Sequence, residues 1–116
     1  MIEATSTARI VMTTAANPEE ADRLGRTLVE ERLAACATLL PPVQSIYRWE
    51  GKIESSAEMV LLLKTGVDQL RALEERLREL HSYQTPEFLV LEIEAGSHSY
   101  LRWLRANVGS PQSTKV

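Results

Sequence analysis

A chain of 116 residues, 44% hydrophobic and 25% charged, has room for one domain and the composition of an ordinary globular protein rather than a disordered one. Its formal net charge of -3 gives no basic field for a phosphate backbone, which argues against nucleic acid as a partner. No apolar run approaches the roughly 20 residues of a membrane span, no secretion signal is read in residues 1–7, and the single Cys36 cannot form an internal disulfide, so a cytoplasmic protein without a membrane partner is expected.

Residues 9–14, with Ile10, Val11, Met12 and two threonines, predict a first strand that breaks before Asn17 and Pro18. Asn17 as cap, Pro18 as first helical residue and Glu20 as third place acceptors and negative charge where a helix start has unpaired N–H groups. Ala21, Leu24, Gly25, Leu28 and Val29 then recur at helical spacing and predict one face packed on a sheet. The apolar run 34–40, the pair Pro41-Pro42 and the stretch from Val43 to Trp49 read as one long second strand bent at the prolines. Glu50-Gly51 reads as a tight hairpin turn into a third strand, in which residues 59–63 suit burial on both faces. Thr65 with Asp68 suggests a capping box for a second helix carrying Leu70, Leu73, Leu77 and Leu80. A polar turn over 81–86, an alternating fourth strand over 88–94 and a last helix capped by Ser97 complete the domain near Gly109.

The order β-α-β-β-α-β plus a terminal helix is an α+β arrangement of the ferredoxin-like kind, spanning 8–109, with a flexible tail over 110–116. The hairpin between the second and third strands is longer than one four-stranded sheet requires. The strand edges it leaves unpaired predict self-association.

The common phosphate-binding, zinc and hydrolase motifs are absent, and no nucleophile is paired with a base, so no catalytic residue is assigned and no enzyme is expected. Cys36, inside an apolar run, reads as packing. His81 ends a helix at the start of a polar turn, where an imidazole can cap carbonyls, titrate near neutrality or bind a metal; His98 reads as a surface residue. Tyr47, Trp49, Tyr83, Tyr100 and Trp103 fall near strand ends and turns, positions suited to a cleft, a subunit contact or satellite packing. Lys64, after three leucines, needs a carboxylate such as Glu58 or Glu87, or an anionic ligand.

The segments RLAACATLLPPVQSIYRWEGKIE, LLLKT, LHSYQTPE and YLRWL occur in that order between about Ile10 and Val108, and with them the chain resembles the CutA divalent-cation tolerance proteins. The resemblance implies a ferredoxin-like subunit, related in architecture to PII signalling proteins, in a homotrimer whose long hairpins complete the sheets of neighbours. It implies a role in tolerance to copper or another divalent cation, with no organic cofactor. The family's copper ligands, a cysteine at the end of the first strand and paired histidines after the second helix, correspond here to Thr13 and to Leu80-His81, which leaves His81 as the candidate metal ligand. The resemblance also implies a cleft between subunits formed by Trp49, Glu58, Lys64, Tyr83 and Glu87, suited to a small ligand. An alternative function follows from that cleft: a PII-like signalling or assembly module that binds a small anionic molecule.

Overall fold

Asn17 Oδ1 accepts the Glu20 N–H at 2.8 Å and opens α1 (Pro18–Glu30), as the sequence requires. The structure, a computed structural model, describes residues 1–110; the expected tail lies outside the described residues from 111 onward. The other elements are β1 (Ile2–Ala4), β2 (Ala8–Ala15), β3 (Cys36–Trp49), β4 (Lys52–Gly66), α2 (Leu70–Leu80), β5 (Leu89–Glu92), β6 (Ala95–Ser97) and α3 (His98–Ala106).

The four central strands form one antiparallel sheet in the order β3-β4-β2-β5, the ferredoxin-like arrangement predicted from the element order. Side chains alternate across it. Val11, Thr13, Leu61 and Leu63 point toward α1 and α2 and are fully buried with Leu24, Leu28, Leu73 and Leu77. Gly25 lets α1 approach closely, since a Cβ there would stand 3.1 Å from the Ala37 Cβ. Ile10, Met12, Val60 and Leu62 point to the opposite face, where they are only half-buried, and Leu89 and Leu91 on the edge strand are exposed. The expectation that residues 59–63 are buried on both faces is therefore corrected for a single chain: helices cover one face, and among the described residues nothing covers the other.

β3 and β4 continue past the sheet as a two-stranded ribbon, giving the molecule dimensions of 55 × 26 × 23 Å. At the prolines, Leu40 pairs with Val60 but Val43 pairs with Glu58, so β3 carries one extra residue in a bulge. Glu50 and Gly51 both have positive φ, 50° and 80°, as a two-residue hairpin with matching twist requires.

The start of the second helix differs from the expectation. Thr65 is still in β4, fully buried, and its hydroxyl donates to Leu33 O at 2.7 Å; a single 3-10 turn over Val67–Gln69 leads into α2, and no side chain caps it. The carbonyl of Leu33 won the threonine that the local pattern assigned to the helix. Also unforeseen is a small second sheet of β1 and β6, which ties Ile2 to Ser97 and Ala4 to Ala95. Ser97 Oγ accepts the Tyr100 N–H at 3.2 Å and caps α3 as predicted. No helix among the described residues is long and apolar enough to cross a membrane.

Candidate functional site

Three elements meet at the segment that follows α2. The His81 N–H donates to Leu77 O at 2.9 Å, which makes His81 the last link of the helix ladder. Its side chain is fully buried: Nε2 lies 2.6 Å from Thr14 O, and Nδ1 receives the Tyr83 N–H at 3.0 Å. A carbonyl only accepts and an amide only donates, so the ring is held as the Nε2–H tautomer with both nitrogens used.

Beside it, Glu20 is buried on the first turn of α1. Burial alone pushes its carboxyl up. The amides of Ala16 and Ser82 and then the Ser82 hydroxyl outweigh that and hold it below the usual carboxylate range. With Ser82 fixed, Tyr83 reaches β4, and its hydroxyl donates to Glu58 Oε2 at 2.7 Å. Burial and then the bond to Glu58 push the Tyr83 phenol well up. Glu87 completes the group; burial, then the charge of Glu58, push its carboxyl up as well. Two carboxyls and a phenol thus converge, a set able to hydrogen-bond a cationic or hydroxyl-bearing ligand.

Of the residues expected to form the cleft, one chain brings together Glu58, Tyr83 and Glu87. Trp49 pairs with Lys52 at the hairpin tip, and Lys64 lies toward the other end of β4. Lys52 and Lys64 each stand six positions along β4 from Glu58, about 20 Å in an extended strand. The expected carboxylate partner of Lys64 is also corrected. Its Nζ donates to Thr38 Oγ1 at 3.1 Å and lies 3.7 Å from Cys36 Sγ, and no ion pair to it forms among the described residues. Lys64 and Glu58 share a sheet face but are too far apart along it. Cys36 begins β3 half-buried beside that ammonium rather than inside the core. Sequence reasoning missed the Glu20–Ser82 link; Glu20 was legible as a helix-start acid, but nothing local to Ser82 announces its partner.

The sequence profile of the CutA1 divalent ion tolerance proteins matches residues 9–107. The chain belongs to the CutA1 family. A relative in Thermus thermophilus, the divalent-cation tolerance protein CutA, is 43% identical over 100 residues, covering 86% of this chain and 97% of its own. The solved CutA structure from Synechococcus elongatus superposes with a TM-score of 0.90 at 39% identity, covering 94% of this chain and 96% of that one. A second structure of the Synechococcus protein, complexed with a Bis-Tris molecule, gives a TM-score of 0.86 at 39% identity, over 93% of this chain and 100% of that one.

Within the CutA1 frame, the position that the resemblance offers for a metal does not suit one in a single chain. Thr13 is fully buried on the helix side and presents a hydroxyl, without a hydrogen-bond partner among the described residues, where the resemblance calls for a thiolate. His81, the expected ligand, has no lone pair to give while its two hydrogen bonds stand. Among the described residues, no three or more His, Cys, Asp or Glu side chains are grouped to hold a metal ion.

Proposed function

We propose that this chain acts in divalent-cation tolerance as a non-enzymatic, cytoplasmic homotrimer that contacts copper or another divalent cation weakly. The observation that carries the reading is the uncovered apolar sheet face, with Ile10, Met12, Val60 and Leu62 half-buried and Leu89 and Leu91 exposed, in a chain whose curated relatives are named for cation tolerance. An apolar face of this kind calls for a partner surface, and the long β3–β4 ribbon supplies strand edges for other copies. The half-buried free thiol of Cys36 suits a reducing compartment.

Two measurements test it. Light scattering on the purified chain is expected to give three times the 13.0 kDa chain mass. Expression of the intact chain in a bacterium lacking its own relative is expected to restore growth under copper or zinc stress. A monomeric mass would remove the assembly, and unchanged sensitivity to every divalent cation tried would remove the role.

A second reading, a PII-like module for a small anionic ligand, is favoured by Lys64, whose ammonium meets a hydroxyl and a sulfur and no carboxylate among the described residues. Glu58 and Tyr83 lie too far along the strand to complete a site with Lys64 in one chain, so that site requires a second copy. Lys64→Ala should then weaken binding of small anions such as inorganic phosphate while the mass stays trimeric. A variant that turns monomeric would make Lys64 structural.

A further inference from the structure

We infer that His98, oriented by Glu3, is the imidazole through which this chain contacts a divalent transition-metal cation. The inference rests on the cation-tolerance reading above and names its contact point.

The chain contains two histidines and one cysteine, the side chains that bind copper, nickel or zinc best. Two of the three are committed. His81 is fully buried with both ring nitrogens bonded, and Cys36 Sγ has the Lys64 ammonium 3.7 Å away, where a second cation would be repelled. His98 differs from both. Its Nδ1 lies 2.8 Å from Glu3 Oε1. An ionised carboxylate can only accept, so Nδ1 carries the hydrogen, and in the neutral ring Nε2 keeps its lone pair. The side chain is 52% exposed, which leaves that lone pair open to a solvated ion.

The arrangement is set in advance by the small sheet. Glu3 pairs with Gly96, Ile2 pairs with Ser97, and the His98 N–H donates to Met1 O at 2.9 Å, so the backbone holds carboxylate and imidazole side by side. A carboxylate on the far nitrogen fixes the ring and raises its basicity toward a metal. The charge of Glu3 also offsets the positive end of α3, on whose first turn His98 stands. One imidazole with water for the remaining ligands makes a weak site, selective for transition metals over magnesium or calcium.

The test is titration of the intact chain with Cu(II) and Zn(II), followed by calorimetry and by NMR of 15N-labelled imidazoles, with His98→Gln and Glu3→Gln alongside. Cu(II) below one equivalent should broaden the His98 ring signals and spare those of His81. His98→Gln should abolish saturable uptake, and Glu3→Gln should weaken it by roughly 10-fold or more. Both substituted side chains are substantially exposed, and an unchanged mass checks that the assembly persists. Undiminished uptake by His98→Gln, or broadening of His81 first, would overturn the inference and leave the cation-tolerance reading standing. A wild-type chain that takes up neither metal would overturn both this contact and the direct binding it rests on.

Discussion

Glu20, on the first turn of α1, holds Ser82 with both carboxylate oxygens: Oε2 accepts the Ser82 N–H at 2.8 Å and Oε1 the hydroxyl at 3.0 Å, across 62 residues of sequence. The same Oε1 also accepts the Ala16 N–H at 3.0 Å, so one carboxylate closes the end of β2, the start of α1 and the exit of α2. In Glu20→Gln, an NH2 must face one of these donors. The expected loss is about 2 kcal/mol in urea unfolding at pH 7. The pH dependence has a definite sign. The folded carboxyl titrates below its ordinary 4.5, so its contribution is complete above that value and is lost as pH falls through the folded one. Wild type and Glu20→Gln should therefore converge in acid. A gap that persists at the lowest pH would show that the charge is not what Ser82 recognises.

Tyr83 and Glu87 press on Glu58 from different sides of the energy balance. Tyr83→Phe removes the hydroxyl that donates to the Glu58 carboxylate and should cost about 1–3 kcal/mol. Glu87 has the opposite sign. Its carboxyl is pushed up, so the folded state favours the protonated form and loses stability as pH rises from 4.5 through the raised value. Glu87→Gln should raise the melting temperature at neutral pH and leave it nearly unchanged below pH 4. Destabilisation at neutral pH would mean that the Glu87 charge is paired in the assembly, which points to a cation at this site.

Leucines on opposite faces of the sheet, Leu61 of β4 and Leu91 of β5, separate folding from assembly. Leu61 is fully buried against the helices, so Leu61→Ala should cost about 2–5 kcal/mol without changing the mass of the folded fraction. Leu91, exposed on the other face, is a different case: in an isolated chain, Leu91→Lys should matter by less than about 0.5 kcal/mol. If other copies cover this face, the same change should shift the light-scattering mass toward one chain. An oligomeric mass left unchanged would place any interface elsewhere.

The contrast follows the way the sequence encodes this fold. Helical spacing in α1 and α2, the Asn17 cap and the Glu50-Gly51 turn are local signals, and the structure realises each of them. Thr65 misled because a short-range capping pattern competed with a long-range acceptor, Leu33 O, that the sequence does not display. β1 and β6 were invisible for a related reason, since three residues of Ile-Glu-Ala and Ala-Gly-Ser carry no periodicity and form only because each finds the other. At the candidate site, residue types were legible and their partners were not. His81 reads as an available ligand until Thr14 O and the Tyr83 amide occupy it, whereas His98 reads as mere surface until Glu3 is seen beside it.

Thr13 offers the cleanest test of what the buried core tolerates. Its Oγ1 is enclosed between sheet and helices without a hydrogen-bond partner among the described residues. A hydroxyl taken from water into such a place loses solvation and regains nothing, a cost of about 1–3 kcal/mol. Valine has nearly the same branched shape and no polar atom, so it fills the site without that loss. Thr13→Val should therefore raise the urea midpoint, by a stabilisation of about 1 kcal/mol, with no change in the denaturant slope. Thr13→Ala removes the hydroxyl too but opens a cavity, and it should be less stable than Thr13→Val. A Thr13→Val chain less stable than wild type would show that the hydroxyl has a partner in the folded assembly, and the most direct candidates would be an enclosed water or a ligand reaching the core side of β2.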